Sequence, residues 1–262
     1  MAIHQETWPA GTPVWVDLSV TDPDASRAFY ADVLGWEFTP SGEQFGGYFM
    51  ALVDGEPAAG LAPPMEGMEE DTHAWTTYLG TEDIEAVTQG VTDAGGTVVM
   101  PPMPLESLGS MAIYTDSTGA VFGGWQYGEH TGFNVYDSPG SVSWCEAMLG
   151  DFEAGQEFYA QVFGFTYEDM SSEGMKYAMF SVPGGERPAG GVGMVEGEQP
   201  YWSVTFNVPD TDAAIERATA RGSQVLMEPY AFEFGRVAVI TGPDGERFGV
   251  IEPPAEPAVS AG

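Results

Sequence analysis

Between Val14 and Val20 apolar side chains take every second place, Val14, Val16, Leu18 and Val20, with Trp15, Asp17 and Ser19 between them. Alternation with period two marks a strand with one buried face. The Thr21-Asp22-Pro23 turn then opens a helix from Asp24 to Leu34, and 36–61 reads as two or three strands broken by Gly46-Gly47 and Asp54-Gly55. A second unit runs through a strand at 74–81, a helix at 84–94 stopped by Ala94-Gly95-Gly96, and strands at 97–100, 110–115 and 120–126. A third has a strand at 142–149, a helix at 153–162 and strands to Met194. A fourth has a strand at 201–208, a helix at 211–220 before Arg221-Gly222, and strands to Ile251. The order βαβββ thus occurs four times and predicts an α+β protein.

The four units fall into two copies. Trp15, Asp17, Phe29 and Tyr30 return as Trp144, Glu146, Phe158 and Tyr159, each 129 residues on, and Pro57-Ala-Ala-Gly-Leu61 returns as Pro188-Ala-Gly-Gly-Val192. A repeat of this size means a duplicated fold. The expected organisation is an N-terminal arm at 1–12 and a first domain at 13–127, with modules 13–64 and 73–127. A linker at 128–141, rich in Gly, Pro and Asp, leads to a second domain at 142–253, with modules 142–195 and 200–253. Residues 254–262 form a Pro/Ala tail, and both chain ends are expected to be loose.

The chain has 262 residues, enough for two domains of common size, and its 43% hydrophobic content supplies two cores. Against 40 Asp and Glu stand only 7 Lys and Arg, a net charge of −33. Such a surface repels phosphate backbones and anionic membranes, so nucleic-acid and membrane partners are not expected, whereas a cationic ligand is permitted. The single cysteine, Cys145, excludes an intrachain disulfide, and its parity places it in the core. No charged-then-apolar leader opens the chain and no run of 18 apolar residues occurs, so a soluble cytoplasmic protein, monomer or homodimer, is expected.

The order of modules resembles the vicinal oxygen chelate superfamily, which includes glyoxalase I, extradiol dioxygenases and bleomycin-resistance proteins. The resemblance spans nearly the whole chain. It is carried by the helix from Ala28 to Trp36 and its copy from Glu157 to Phe165, by the openings Glu82-Asp83-Ile84-Glu85-Ala86 and Pro209-Asp210-Thr211-Asp212-Ala213, and by the closing Asp244-Gly245-Glu246-Arg247-Phe248-Gly249. It implies two tandem glyoxalase-like domains, each a curved mixed sheet forming a cup that holds a ligand. Either modules one and two or modules one and four can pair.

Enzymes of the superfamily hold a divalent metal through His, Glu or Gln on the first and last strands of paired modules. Here the first-strand positions carry Trp15, Thr76, Trp144 and Ser203, and the last-strand positions carry Gly60, Gly123, Gly191 and Gly249. None is an ordinary ligand for a divalent ion. The histidines His4, His73 and His130 stand isolated in their segments, His73 just before the strand of module two. No metal and no other cofactor is therefore expected.

Strand parity then places Trp15 and Asp17, with Thr76 and Tyr78, in the first cup, and Trp144, Glu146 and Met148, with Ser203, Thr205 and Asn207, in the second. Trp75, Leu79, Trp202, Phe206 and Val208 pack behind. An indole offers stacking area and a donor, and glycine on the opposite strand lets a ligand approach the backbone or lets the sheet curve. Asp17 and Glu146, each beside an indole, have the setting for a raised pKa and are the candidate acid/base residues; each is equally placed to pair with a ligand amine. The irregular stretches 65–71, 101–108 and 228–234 are read as loops, with Met103, Leu105, Tyr230 and Phe232 as lids.

Two function classes follow. One is a metal-free binding protein for an aromatic or amphipathic, antibiotic-like small organic molecule, similar to the bleomycin-resistance branch. The other is an enzyme, a glyoxalase-like lyase, a dioxygenase, or a metal-free isomerase, cyclase or hydrolase using Asp17 or Glu146. A third possibility is that only one half binds.

Overall fold

The computed structural model describes residues 2–4, 6–42, 45–64 and 74–254. A two-residue strand β1 (Ala2–Ile3) precedes module one, which comprises β2 (Pro13–Ser19), α1 (Pro23–Leu34), β3 (Glu37–Pro40), β4 (Phe49–Val53) and β5 (Glu56–Ala62). Module two is β6 (Trp75–Thr81), α2 (Ile84–Asp93), β7 (Thr97–Leu105), β8 (Gly109–Thr115) and β9 (Val121–Tyr127). After β10 (Val135–Tyr136), module three is β11 (Val142–Leu149), α3 (Phe152–Phe163), β12 (Thr166–Asp169), β13 (Tyr177–Ser181) and β14 (Gly190–Met194). Module four is β15 (Tyr201–Asn207), α4 (Thr211–Ala220), β16 (Val225–Phe232), β17 (Gly235–Thr241) and β18 (Arg247–Glu252).

Each helix starts on an aspartate. Asp22, Asp83, Asp151 and Asp210 accept from backbone N–H groups of the first turn, which satisfies donors the helix cannot and sets a negative charge at its positive end. Pro23 supplies a preset φ at the first turn of α1, and α1 and α3 both stop on a left-handed glycine, Gly35 at φ 76° and Gly164 at φ 73°.

Modules one and two share one eight-stranded mixed sheet, in the order β3-β4-β5-β2-β6-β9-β8-β7, and modules three and four share its counterpart, β12-β13-β14-β11-β15-β18-β17-β16. At the centre of each sheet the first strands of the two modules run antiparallel, β2 with β6 and β11 with β15, and each pairs in parallel with the last strand of its own module. The helices pair differently: α1 lies beside α4 and α2 beside α3. Both module pairings left open by the sequence are thus realised, one by strands and the other by helices.

This exchange places the core between the backs of the two sheets. Val14, Val16, Leu18 and Val20 are fully buried there, as are Cys145, Ala147 and Leu149 or nearly so. Tyr30 on α1 reaches the second domain, where its hydroxyl donates to buried Glu246 at 2.6 Å and its ring packs on Phe248. Tyr159 on α3 answers from the other side, donating to buried Asp116 at 3.0 Å while accepting from the Trp202 indole at 2.8 Å. Around these bonds Trp36, Trp75 and Phe206 meet edge to face, and Phe122 meets Phe158. Such pairs add to the stabilisation from area burial.

Two expectations need correction. The described part of the N-terminal arm is not loose, because β1 pairs with β10 in the linker and Trp8 stacks on His4 at 3.7 Å. Much of the stretches 101–108 and 228–234 belongs to edge strands β7 and β16, not to loops. Pro101, Pro102, Pro104 and Pro229 cannot donate to a ladder, so these strands sit at the sheet margins and carry register shifts, where a missing donor is tolerated. The stretch 65–71, His73 and the tail from 255 lie outside the described residues.

The buried bonds between the domains should outweigh the exposed ion pairs. Replacing Tyr159 with Phe strands the Trp202 indole donor and removes the donor to Asp116 Oδ2, so Tyr159→Phe should lower the unfolding free energy by about 1–3 kcal/mol in urea titration. Asp24→Ala, which removes the exposed ion pair with Arg27, should stay within about 1 kcal/mol of the parent.

Candidate functional site

The outer faces of the two sheets carry one repeated constellation. In the first, the Trp15 indole donates to the Tyr48 hydroxyl at 2.8 Å, and Tyr48 in turn hydrogen-bonds Asp17. In the second, the Trp144 indole donates to the Tyr177 hydroxyl at 2.9 Å, and Tyr177 donates to Glu146 Oε2 at 2.8 Å. Trp15 with Asp17 and Trp144 with Glu146 come from the first strands β2 and β11. Tyr48 just before β4 and Tyr177 at the start of β13 come from two strands away, with β5 or β14 lying between. The tyrosines were not among the residues singled out from the sequence, yet they too stand 129 residues apart, in Tyr48-Phe-Met-Ala-Leu-Val53 and Tyr177-Ala-Met-Phe-Ser-Val182.

The tyrosines explain the glycines. A Cβ built on Gly60 would collide with the Tyr48 hydroxyl, and one on Gly191 with the Tyr177 hydroxyl; at Gly123 it would meet the Tyr78 ring, and at Gly249 the Thr205 hydroxyl. Each glycine therefore makes room for a side chain of the protein from an adjacent strand, where ligand approach or sheet curvature had been the alternatives. In register, Asp17 faces Gly60, Tyr78 faces Gly123, Glu146 faces Gly191 and Thr205 faces Gly249.

The two cups are not equally filled. In the first, Tyr78 donates to Asp17 Oδ1 at 3.2 Å and is 4% exposed, and Trp15 is 3% exposed. The linker packs on Trp15: His130 meets it edge to face at 4.5 Å and Trp125 at 5.2 Å, and Phe133 lies 5.6 Å from Trp15. His130 Nε2 is buried with no partner among the described residues. This histidine, isolated in sequence, thus belongs to the first cup, brought there by a chain reversal that spacing does not encode. Thr76 is half-buried beside Asp17.

In the second cup Trp144, Glu146, Met148 and Thr205 all keep some exposed surface, and no linker covers them among the described residues. The Met148 thioether packs toward Gly193. Ser203 is buried. Asn207, at the end of β15, is also buried, and its amide donates to the Ser141 hydroxyl at 3.1 Å, which ties it to the linker and away from the cup. Tyr230 on β16 stands near Tyr177 and is 48% exposed, and it pairs with Phe232 at 5.7 Å.

Burial sets the electrostatics. It pushes the Asp17 carboxyl up from the usual range to about 7, against the pull of the Tyr78 and Tyr48 hydrogen bonds. The Glu146 carboxyl is also raised, by burial, with Tyr177 opposing. Burial and the neighbouring acids raise the phenols of Tyr48, Tyr78 and Tyr177, so they act as neutral donors. His130 is lowered by burial to about 4 and is a neutral imidazole at pH 7. A carboxyl that is half protonated near neutrality can take or give a proton, and the indole-phenol relay fixes its orientation.

The donors in the cups do not suit a divalent metal ion. Each cup offers one carboxylate already engaged by a tyrosine, together with neutral phenols and indoles, and no group of three His, Cys, Asp or Glu gathers among the described residues. A divalent ion requires several deprotonated or lone-pair donors around one point. The space beside the last strand, where a ligating side chain would project, is filled by Tyr48 and Tyr177.

Two sheets of paired βαβββ modules, each curved around an acid on its first strand, define the class of protein. The chain belongs to the Glyoxalase/Bleomycin resistance protein/Dioxygenase superfamily, whose family model matches residues 12–122 and 141–250. It is 35% identical over 250 residues to the protein named "Putative glyoxylase CFP32" of Mycobacterium tuberculosis, covering 93% of this chain and 95% of that one. It is 35% identical over 258 residues to the anthracycline biosynthesis protein DnrV of Streptomyces peucetius, covering 92% and 93%. Among solved structures, the Mn(II)-bound glyoxalase of Novosphingobium aromaticivorans matches 93% of this chain and 82% of its own at a TM-score of 0.65 and 17% identity, a likeness of fold alone. No helix among the described residues is long and apolar enough to cross a membrane.

The raised Asp17 carboxyl has a signature in stability. Between about pH 4 and pH 7 the unfolded chain has released this proton while the folded protein retains it, so its contribution falls as pH rises through that window and levels off above it. Asp17→Asn, which keeps an acceptor for the tyrosines, removes the effect. Urea unfolding should show the variant gaining on the parent by on the order of a few kcal/mol between pH 4 and pH 8. A gap that does not change with pH would mean that the carboxyl is solvated.

Proposed function

We propose that the protein binds a planar aromatic small molecule in a metal-free cup, with the indole as stacking surface and the acid-tyrosine pair as polar anchor. One observation carries this reading: both copies retain Trp, Tyr and acid in one hydrogen-bonded arrangement, while both lack a side chain at the metal-binding position of the last strand. The name of DnrV adds support, since anthracyclines are planar fused-ring aromatics. The net charge of −33 favours ligands that carry a cationic group and disfavours nucleic acid.

A second reading is favoured by the position of Asp17 near 7, which suits a general acid or base working at neutral pH. On this reading the first cup is catalytic, the enzyme being an isomerase, cyclase or lyase without metal. Turnover of a bound aromatic compound would then follow a pH profile with an inflection near 7 that Asp17→Asn abolishes.

Tryptophan fluorescence tests the binding reading. A planar anthraquinone should quench the protein saturably, with the same affinity before and after EDTA treatment. Trp144→Ala should weaken binding about tenfold or more, equal to about 1.4 kcal/mol of lost stacking. Trp15→Ala, in the closed cup, should change it less. Affinity that disappears with EDTA and returns with a divalent ion would overturn the metal-free reading, and full affinity in a folded Trp144→Ala protein would overturn the site.

A further inference from the structure

The two cups differ at one register position, and the difference identifies a ligand. Tyr78 on β6 and Thr205 on β15 are equivalent: each lies opposite the tryptophan of the first strand, Trp15 or Trp144, and opposite the glycine of the last strand, Gly123 or Gly249. In the first cup the Tyr78 phenol lies over Gly123 and donates its O–H to Asp17. In the second, the side chain is a threonine, and only its hydroxyl and methyl approach Gly249. A ring is thereby removed from the second cup while the rest of the arrangement, Trp144, Tyr177 and the acid, is kept.

The acid shows the same gap. Asp17 receives two phenols, from Tyr48 and Tyr78. Glu146 receives one, from Tyr177 to Oε2, and no described residue donates to its Oε1. Glu146 keeps some exposed surface, so a ligand O–H can replace water as the donor to that oxygen.

We propose that the second cup takes a phenolic aromatic ring, seated over Gly249 against Trp144 with its hydroxyl donating to Glu146, and that Tyr78 of the first cup occupies the same place as a permanent built-in equivalent. The proposal rests on the binding reading above and narrows it to one cup and one functional group. The second cup is also the more accessible one: Trp144 and Thr205 keep exposed surface where their counterparts Trp15 and Tyr78 are buried. In the first cup His130 and Phe133 pack on the buried Trp15.

Calorimetric titration at pH 7 with 2-naphthol and its methyl ether, 2-methoxynaphthalene, tests it. The protein should bind one equivalent of 2-naphthol, and the ether, which has no proton to donate, should bind at least tenfold more weakly. Thr205→Tyr installs the ring that Tyr78 supplies in the first cup, opposite a glycine that already leaves room for it. This variant, with an unchanged near-ultraviolet circular dichroism spectrum, should lose at least tenfold in affinity for 2-naphthol.

Equal binding of the two naphthalenes, two equivalents of 2-naphthol, or a folded Thr205→Tyr protein of undiminished affinity would overturn the phenol assignment and leave the broader reading standing. The same holds if a fused-ring anthraquinone binds and neither naphthalene does. If no aromatic probe binds, both readings fall. The comparison of phenol with ether needs no variant, so it decides the point even if Thr205→Tyr does not fold.

Discussion

Two buried hydrogen bonds between the halves govern the rest of the molecule. Tyr30 reaches across to Glu246 and Tyr159 reaches back to Asp116, so each half closes the core of the other. Local backbone donors reach one oxygen of each carboxyl, and the phenol for the other is supplied only when the halves are assembled. The burial that results raises the Glu246 carboxyl while Tyr30 and backbone N–H groups hold it in place. Because the helices are committed to the space between the sheets, the opposite faces are left to form cups. The location of the candidate sites is thus a consequence of where the core had to be.

Within the cups, geometry and chemistry are set by pairs of large and absent side chains. Tyr48 and Tyr177 need Gly60 and Gly191, and Tyr78 needs Gly123. A glycine in a strand ordinarily weakens it, and here each loss is offset by an aromatic ring laid across the backbone. The position from which a metal-ligating acid would project becomes part of an organic surface. The acid moves to the first strand, where burial and phenols together set its proton affinity.

Much of the fold was legible because it is written in local patterns. The row Val14, Val16, Leu18 and Val20, the Thr21-Asp22-Pro23 turn before α1 and the glycines after α2 and α4 all act within a few residues, and all four modules lie where those signals and their copies place them. The repeat also located Trp15, Asp17, Trp144 and Glu146. It contained Tyr48 and Tyr177 at the same spacing, but a tyrosine before an apolar strand looks like packing until its hydroxyl partner is known. His130 was illegible for a different reason. Its proximity to Trp15 depends on the linker folding back and on β1 holding β10, contacts between segments more than 100 residues apart with no periodic signal. The edge strands β7 and β16 were hidden by their prolines, which imitate loops.

The linker that covers Trp15 exists only because two halves were joined. A pair of separate, identical halves would present two identical cups, related by symmetry and obliged to change together. The segment that connects the halves carries His130 and Phe133 onto the first cup, and among the described residues no segment does the same for the second. Covalent joining thus makes the two cups inequivalent: the connecting segment packs on Trp15 in one, while Trp144 in the other keeps exposed surface.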